Sequence, residues 1–230
     1  MAADLELAGA IRRGLAELGE PERAAAQQRY MKSQIPFRGV TLPQLRSLLR
    51  PLLKNWRPAD RASWKATVLE LWDHVAYREE RYAALTIAEH KAARAWLDAE
   101  SVPLFRHLVV TGAWWDHVDE VAQHLLGAAL VAHRADLTPV VQEWATDDDP
   151  WVRRAAVVCQ VGHRDTLDTE LLRHAIAANV DDSTFWLRKA IGWALRDYAR
   201  VDPDWVRAEV DRLGDRLSGL SRREALKHLR

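Results

Sequence analysis

Arg153-Arg154-Ala155-Ala156-Val157 and Arg188-Lys189-Ala190-Ile191-Gly192 lie 35 residues apart and share a pattern of two cations followed by small or apolar residues. A third copy, Arg81-Tyr82-Ala83-Ala84-Leu85, lies 72 residues before the first, twice 36. Stepping back 36 from Ala155 reaches Asp119. A repeat of this length is the mark of stacked helical hairpins, each too small to bury its own apolar face. Small residues at the repeated position let neighbouring helices approach. Asp119 stands where the other copies carry alanine, and a charge there asks for a reason beyond packing.

Outward from these copies, nearly every segment has a helical period, and no run alternates β-branched residues. Helices are predicted at about 5–18, from Pro21 to before Pro36, and from a Thr41 cap with Pro43 in its first turn. Others follow at about 60–74, 78–95, 101–110, 113–133, 136–146, 150–161, 168–178, 183–200 and 203–213. Ser221-Arg222-Arg223-Glu224 reads as the capping box of a last helix. Gln34 to Val40 is a loop by its Pro36 and Gly39. The expected fold is all-α: a superhelical array of helical hairpins over a single domain, 1–230, whose curvature makes the concave side a binding surface.

The composition narrows the function. One cysteine, Cys159, allows neither an internal disulfide nor a cysteine-rich metal site. No uncharged apolar run reaches membrane-spanning length, about 18 residues, and the first residues carry acids where a signal peptide carries a basic region. A cytoplasmic protein with no membrane partner is expected. The 33 basic and 33 acidic residues cancel, so any nucleic-acid surface depends on where the cations sit. Lysine and arginine are absent between Arg106 and Arg134, and the chain holds eleven tryptophans.

Thr111-Gly112-Ala113-Trp114-Trp115-Asp116-His117-Val118-Asp119-Glu120-Val121 opens the 113–133 helix. Trp114, Val118, Val121 and Leu125 form its apolar stripe, and Trp115 with Asp119 shares a face displaced from it by about 100°. A carboxylate among aromatic rings suits a reaction in which positive charge develops with no proton to move. Cleavage of an N-glycosidic bond has such an oxocarbenium-like transition state. A base already alkylated on a ring nitrogen leaves as a neutral molecule, so one anion suffices, aided by cation–π attraction from tryptophan. The plain alternative for Asp119 is a salt bridge, with an arginine of the next repeat as its partner.

On the 183–200 helix, Leu187, Ile191, Ala194 and Tyr198 face the core. Trp186, Lys189, Trp193, Arg196 and Arg200 form a second stripe of aromatic and basic residues with no acid. Trp151, Arg153 and Arg154 add to it. Either this is a solvated basic face, or it is a groove that follows a phosphate backbone.

The chain resembles the AlkD-type DNA alkylation repair proteins, DNA glycosylases built from HEAT-like repeats. Arg29-Tyr30-Met31-Lys32, Leu71-Trp72, Trp114-Trp115-Asp116-His117-Val118-Asp119, Trp151-Val152-Arg153-Arg154-Ala155-Ala156, Lys189 to Ala199 and Ser221 to His228 carry the resemblance, in one order over nearly the whole chain. It implies release of 3-methyladenine and 7-methylguanine from double-stranded DNA, initiating base excision repair. It further implies Asp119 as the catalytic acid, with Trp115 and Trp193 as its aromatic companions. The DNA contacts it implies are Arg154 and Tyr30; Lys32 and, from the basic stripe, Lys189 and Arg196 are expected to join them. Separately, a self-contained solenoid with capping helices is expected to be a monomer, and no cofactor is expected.

A metal site is disfavoured, because Asp116 and His117 diverge on a helix and no His-x-x-x-His pair lies near them. Nucleophilic triads have no local signature. The stronger rival is a repeat protein that binds damaged, bent or branched DNA without cleaving it. Such a protein keeps the basic face but has no need of Asp119 with Trp115 and Trp193.

Overall fold

The computed structural model describes residues 2–229. They are all-helical, with no strand among the described residues. Contacts divide the chain into two compact units, one ending at Trp96 and the other beginning at Leu97. No helix among the described residues is long and apolar enough to cross a membrane.

The first unit contains α1 (Leu5–Glu17), α2 (Pro21–Met31), α3 (Leu42–Leu53), α4 (Arg61–Asp73) and α5 (Arg78–Ala88). Their starts follow local chemistry. Asp4 accepts the Leu7 N–H, Pro21 opens α2, Thr41 and Gln44 form a capping box, and Asp60 with Ser63 forms another. Leu7, Ala8, Ile11 and Leu15 are the buried face of α1. The helix expected at 78–95 ends at Ala88 and resumes as 3-10 turns from Lys91 to Trp96. Trp64 Nε1 donates to the Ile87 carbonyl at 3.3 Å and His90 N–H to the same oxygen at 3.2 Å, which occupies the acceptor an unbroken helix would offer Lys91.

The second unit contains α6 (Val102–Gly112), α7 (Trp115–Glu120), a π-helical segment (Val121–Leu126), α8 (Gly127–Ala132), α9 (Arg134–Trp144) and α10 (Pro150–Val158). It continues with α11 (Thr169–Asn179), α12 (Phe185–Tyr198), α13 (Pro203–Leu213) and α14 (Gly219–Ala225). The helix expected to open near Ala113 begins at Trp115. Ala113 closes α6 in the left-handed region, φ 33°, and Trp114 is extended, φ −152°. The core stripe Val118, Val121 and Leu125 is fully buried, whereas Trp114 stays at the helix entrance. The π segment widens the helix just after Asp119, and the Gly127 N–H reaches back five residues to Ala122 O. A Cβ on Gly127 would lie 2.3 Å from Cys159 O, so glycine is what lets this helix cross the end of α10.

The last helix starts earlier than the expected capping box. Ser218 is the cap and accepts the Ser221 N–H at 3.0 Å. Ser221 is buried inside α14, where its hydroxyl donates to Arg188 O at 2.8 Å. The tertiary contact with α12 decides where the turn begins.

The repeat is visible as polar links between neighbouring hairpins of this unit. Gly162 N–H to Asp197, Arg173 to Glu209, Asn179 to Ala145 O, and Arg216 to Asp181 span 35, 36, 34 and 35 residues. Helices α7, α10, α12 and α14 pack in succession. They carry Asp119, Arg154, Lys189 and Glu224, one charged residue per helix at steps of 35.

Candidate active site

Asp119 lies at the end of α7 and is 9% exposed. The buried guanidinium of Arg154, on α10, holds it in a fork. Nε meets Oδ1 and Nη2 meets Oδ2, both at 2.8 Å. The third edge of the guanidinium, Nη1, donates to Trp186 O at 2.6 Å. Two parallel charge-assisted bonds fix both the position and the plane of the carboxylate. Burial raises the Asp119 carboxyl above the ordinary aspartate range, and the Arg154 hydrogen bonds and charge oppose that rise. Gln123 Nε2 donates to Asp119 O at 3.1 Å, at the entry to the π segment. His117 is buried, with Nδ1 3.4 Å from Gly112 O at the end of α6.

Three tryptophans pack against one another at the entrances of three of these helices. Trp114 and Trp186 meet edge-on at 5.4 Å, Trp114 and Trp151 at 6.0 Å, and Trp151 and Trp186 at 5.9 Å. Each such pair adds about 0.5–1.5 kcal/mol beyond area burial. Phe185 extends the stack to an exposed edge, 5.0 Å from Trp186. The Arg154 guanidinium lies 6.0 Å from the Trp186 ring. Trp114, expected in the core stripe, therefore belongs to an aromatic wall beside the ion pair, together with two tryptophans assigned to a basic groove.

Of the residues expected in the site, Asp119 and Arg154 are in direct contact. Trp115 is half-buried one helical turn before Asp119. Trp193 is half-buried on α12, on one face with Lys189 and Arg196. That stripe holds no acid of its own, but α14 supplies one. Glu224 pairs with Lys189 at 3.0 Å and also with Arg196. Tyr30 and Lys32 belong to the first unit, at the end of α2, and Tyr30 is 76% exposed.

Sequence reasoning missed Glu224 and the fastening of the loop that follows Lys32. The interval of 35 that links Arg154 to Lys189 would have led to Glu224. In the first unit the carboxylate of Glu79 accepts three consecutive backbone N–H groups, from Arg38, Gly39 and Val40, at 2.9–3.0 Å. Arg78 donates to Ser33 Oγ at 3.3 Å. Gly39 has φ 86°, and a Cβ there would lie 2.1 Å from Glu20 O, so the loop after Lys32 closes only around glycine. Its one sequence signal was an acid pair, Glu79-Glu80, in the first turn of a helix.

An all-helical chain whose polar links recur at 34–36 residues fits the class of helical-repeat proteins. The family model for DNA alkylation repair enzymes matches residues 11–229, and the chain belongs to that family. Among solved structures it is similar to one described as a predicted DNA alkylation repair enzyme from Enterococcus faecalis. The TM-score is 0.82 and the identity 29%, over 92% of this chain and 96% of that one. No curated protein matches the chain.

Proposed function

We propose that the protein is a DNA glycosylase that hydrolyses the N-glycosidic bond of N3- and N7-alkylated purines in double-stranded DNA. The observation that carries this reading is the nearly buried carboxylate of Asp119, aimed by the Arg154 fork and one turn from Trp115. Alkylation leaves the purine positively charged. When the C1′–N bond breaks, its electron pair moves to the base, which leaves neutral, and the positive charge develops on the sugar. Asp119 stabilises that charge without transferring a proton, and Trp115 and Trp193 present ring faces to it. Water then adds to C1′ and loses a proton to solvent. Arg154 keeps the carboxylate in place. Three of its five N–H donors are engaged in the free protein, so a phosphate contact from Arg154 has only one further N–H on each terminal nitrogen to use unless partners exchange.

Lys189 and Arg196 on α12, with Tyr30 and Lys32 at the end of α2, are the proposed backbone contacts. We read both units as one working domain because the family match runs without a break across them. A cytoplasmic monomer that needs no cofactor completes the reading.

A second reading is a repeat protein that binds damaged DNA without cutting it. The closed Asp119–Arg154 pair is compatible with it, because a purely structural ion pair looks the same. Incubation of purified protein with methylated DNA, scored for free 7-methylguanine and 3-methyladenine while binding is followed in parallel, decides between them. Binding without base release removes the glycosylase.

A further inference from the structure

Lys189 and Arg196 stand two helical turns apart on α12, yet both reach one carboxylate, that of Glu224 on α14. Gly192 lies between them on the same helix. A Cβ on Gly192 would sit 2.6 Å from Glu224 Cβ and 2.9 Å from Ser221 O, so the bare glycine is what lets α14 settle onto α12. Ser221 anchors that approach through Arg188 O. Glu224 is thus delivered by packing to the point between the two cations. It is only 14% exposed at its side chain, whereas Lys189 is 38% exposed and remains within reach of a ligand.

We infer that Glu224 is a built-in competitor of the DNA backbone: its carboxylate occupies the place a phosphate would take between Lys189 and Arg196, and so restrains binding to undamaged duplex. This rests on the reading of Lys189 and Arg196 as DNA contacts. A carboxylate and a phosphate oxygen pair offer a lysine and an arginine the same acceptors. With Glu224 in place the triad carries a net charge of about +1, and without it +2, counting only the full charges that lysine, arginine and glutamate carry at neutral pH. Backbone binding gains from each cation that replaces a condensed counterion. An acid held between two such cations lowers that gain equally for every sequence. What remains must come from contacts made at the lesion, so Glu224 sharpens discrimination.

The test uses the full-length protein, a short undamaged duplex, and fluorescence anisotropy across a salt series, for wild type, Glu224→Gln, Lys189→Ala and Lys189→Ala/Glu224→Gln. Glutamine keeps the shape and removes the charge. The expected result for Glu224→Gln is tighter binding by about threefold or more, with the slope of log affinity against log salt steeper by up to about 0.9. The Lys189→Ala background should shrink that gain. Unchanged or weaker binding by Glu224→Gln overturns the competitor role. If Lys189→Ala alone leaves wild-type affinity and salt slope unchanged, the DNA-contact reading itself fails, which is a separate result. Thermal unfolding of each variant separates charge from packing: a purely structural Glu224 lowers the melting temperature and leaves the salt slope where it was.

Discussion

Both carboxylate oxygens of Asp119 are held by one guanidinium, that of Arg154, 35 residues further along, in two parallel bonds of 2.8 Å. The pair joins α7 to α10, and its remaining nitrogen reaches the Trp186 carbonyl on α12. Three successive helices are therefore tied at one buried charge pair. The salt-bridge alternative raised by the sequence and the catalytic assignment meet in the same residue, and the experiments must separate them.

Asp119→Asn should slow single-turnover base release by about 2–4 kcal/mol of barrier if the anion stabilises the sugar cation. Its effect on stability sets two terms against each other, the counter-charge lost to the buried Arg154 guanidinium and the relief of the burial cost that raises the Asp119 carboxyl, so the melting temperature is measured beside the rate. If Asp119 faced only a groove, no buried cation would depend on it and stability would hold; its contact with Arg154 meets the salt-bridge alternative instead. Rates are compared below the variant's melting temperature and normalised to folded protein. Asp116→Asn, three residues back, should be far milder. Equal rates for wild type and Asp119→Asn on a 7-methylguanine duplex would sink the catalytic role.

Arg154→Lys keeps the charge but cannot form the fork. It should slow base release and lower the melting temperature while leaving the salt dependence of duplex binding nearly unchanged. Lys189→Ala and Arg196→Ala should do the reverse, each reducing the salt slope by up to about 0.9 for every phosphate that is no longer neutralised. A large fall in slope for Arg154→Ala, which removes the charge, would show that Arg154 contacts a phosphate on binding.

The acid dependence of stability should contain two opposed contributions. Glu209 on α13 is pushed up by burial, but hydrogen bonds from Arg212 and Arg173 outweigh this and leave its carboxyl below the ordinary glutamate range. Its stabilisation is present above the unfolded glutamate range and is lost as pH falls through the lower folded value. Asp119 is raised by burial, so its contribution is present below the unfolded aspartate range and is lost as pH rises through the higher folded value. Denaturant titrations across acid pH should show Glu209→Gln removing the first trend and Asp119→Asn the second. In base-release profiles, the acid limb due to Asp119 should lie above the ordinary aspartate range; a limb that persists in Asp119→Asn assigns it to another group.

Cys159 is fully buried at the end of α10, and burial pushes its thiol up to about 12. The native protein should resist thiol reagents at mildly alkaline pH and react only after denaturant is added. Rapid labelling of the folded chain would show that the α8–α10 crossing, with Gly127 against Cys159 O, opens readily.

The sequence by itself determined the all-helical class, most helix starts and the repeat interval, because capping chemistry and a 3.6-residue period are local properties of the chain. It also singled out Asp119, since an acid in a row of small residues is visible without coordinates. The sequence left open whether Asp119 faces a groove or a cation. Tertiary structure decided this, because the choice depends on which guanidinium the packing of α7 on α10 brings within reach and shuts away from water. The same holds for Glu224. Read along the chain it was the end of a capping box, and only the close approach of α14 at Gly192 puts it between Lys189 and Arg196. Trp114, Trp151 and Trp186 likewise sit on separate helices, and their contact is a property of the stack, which no single helical period contains.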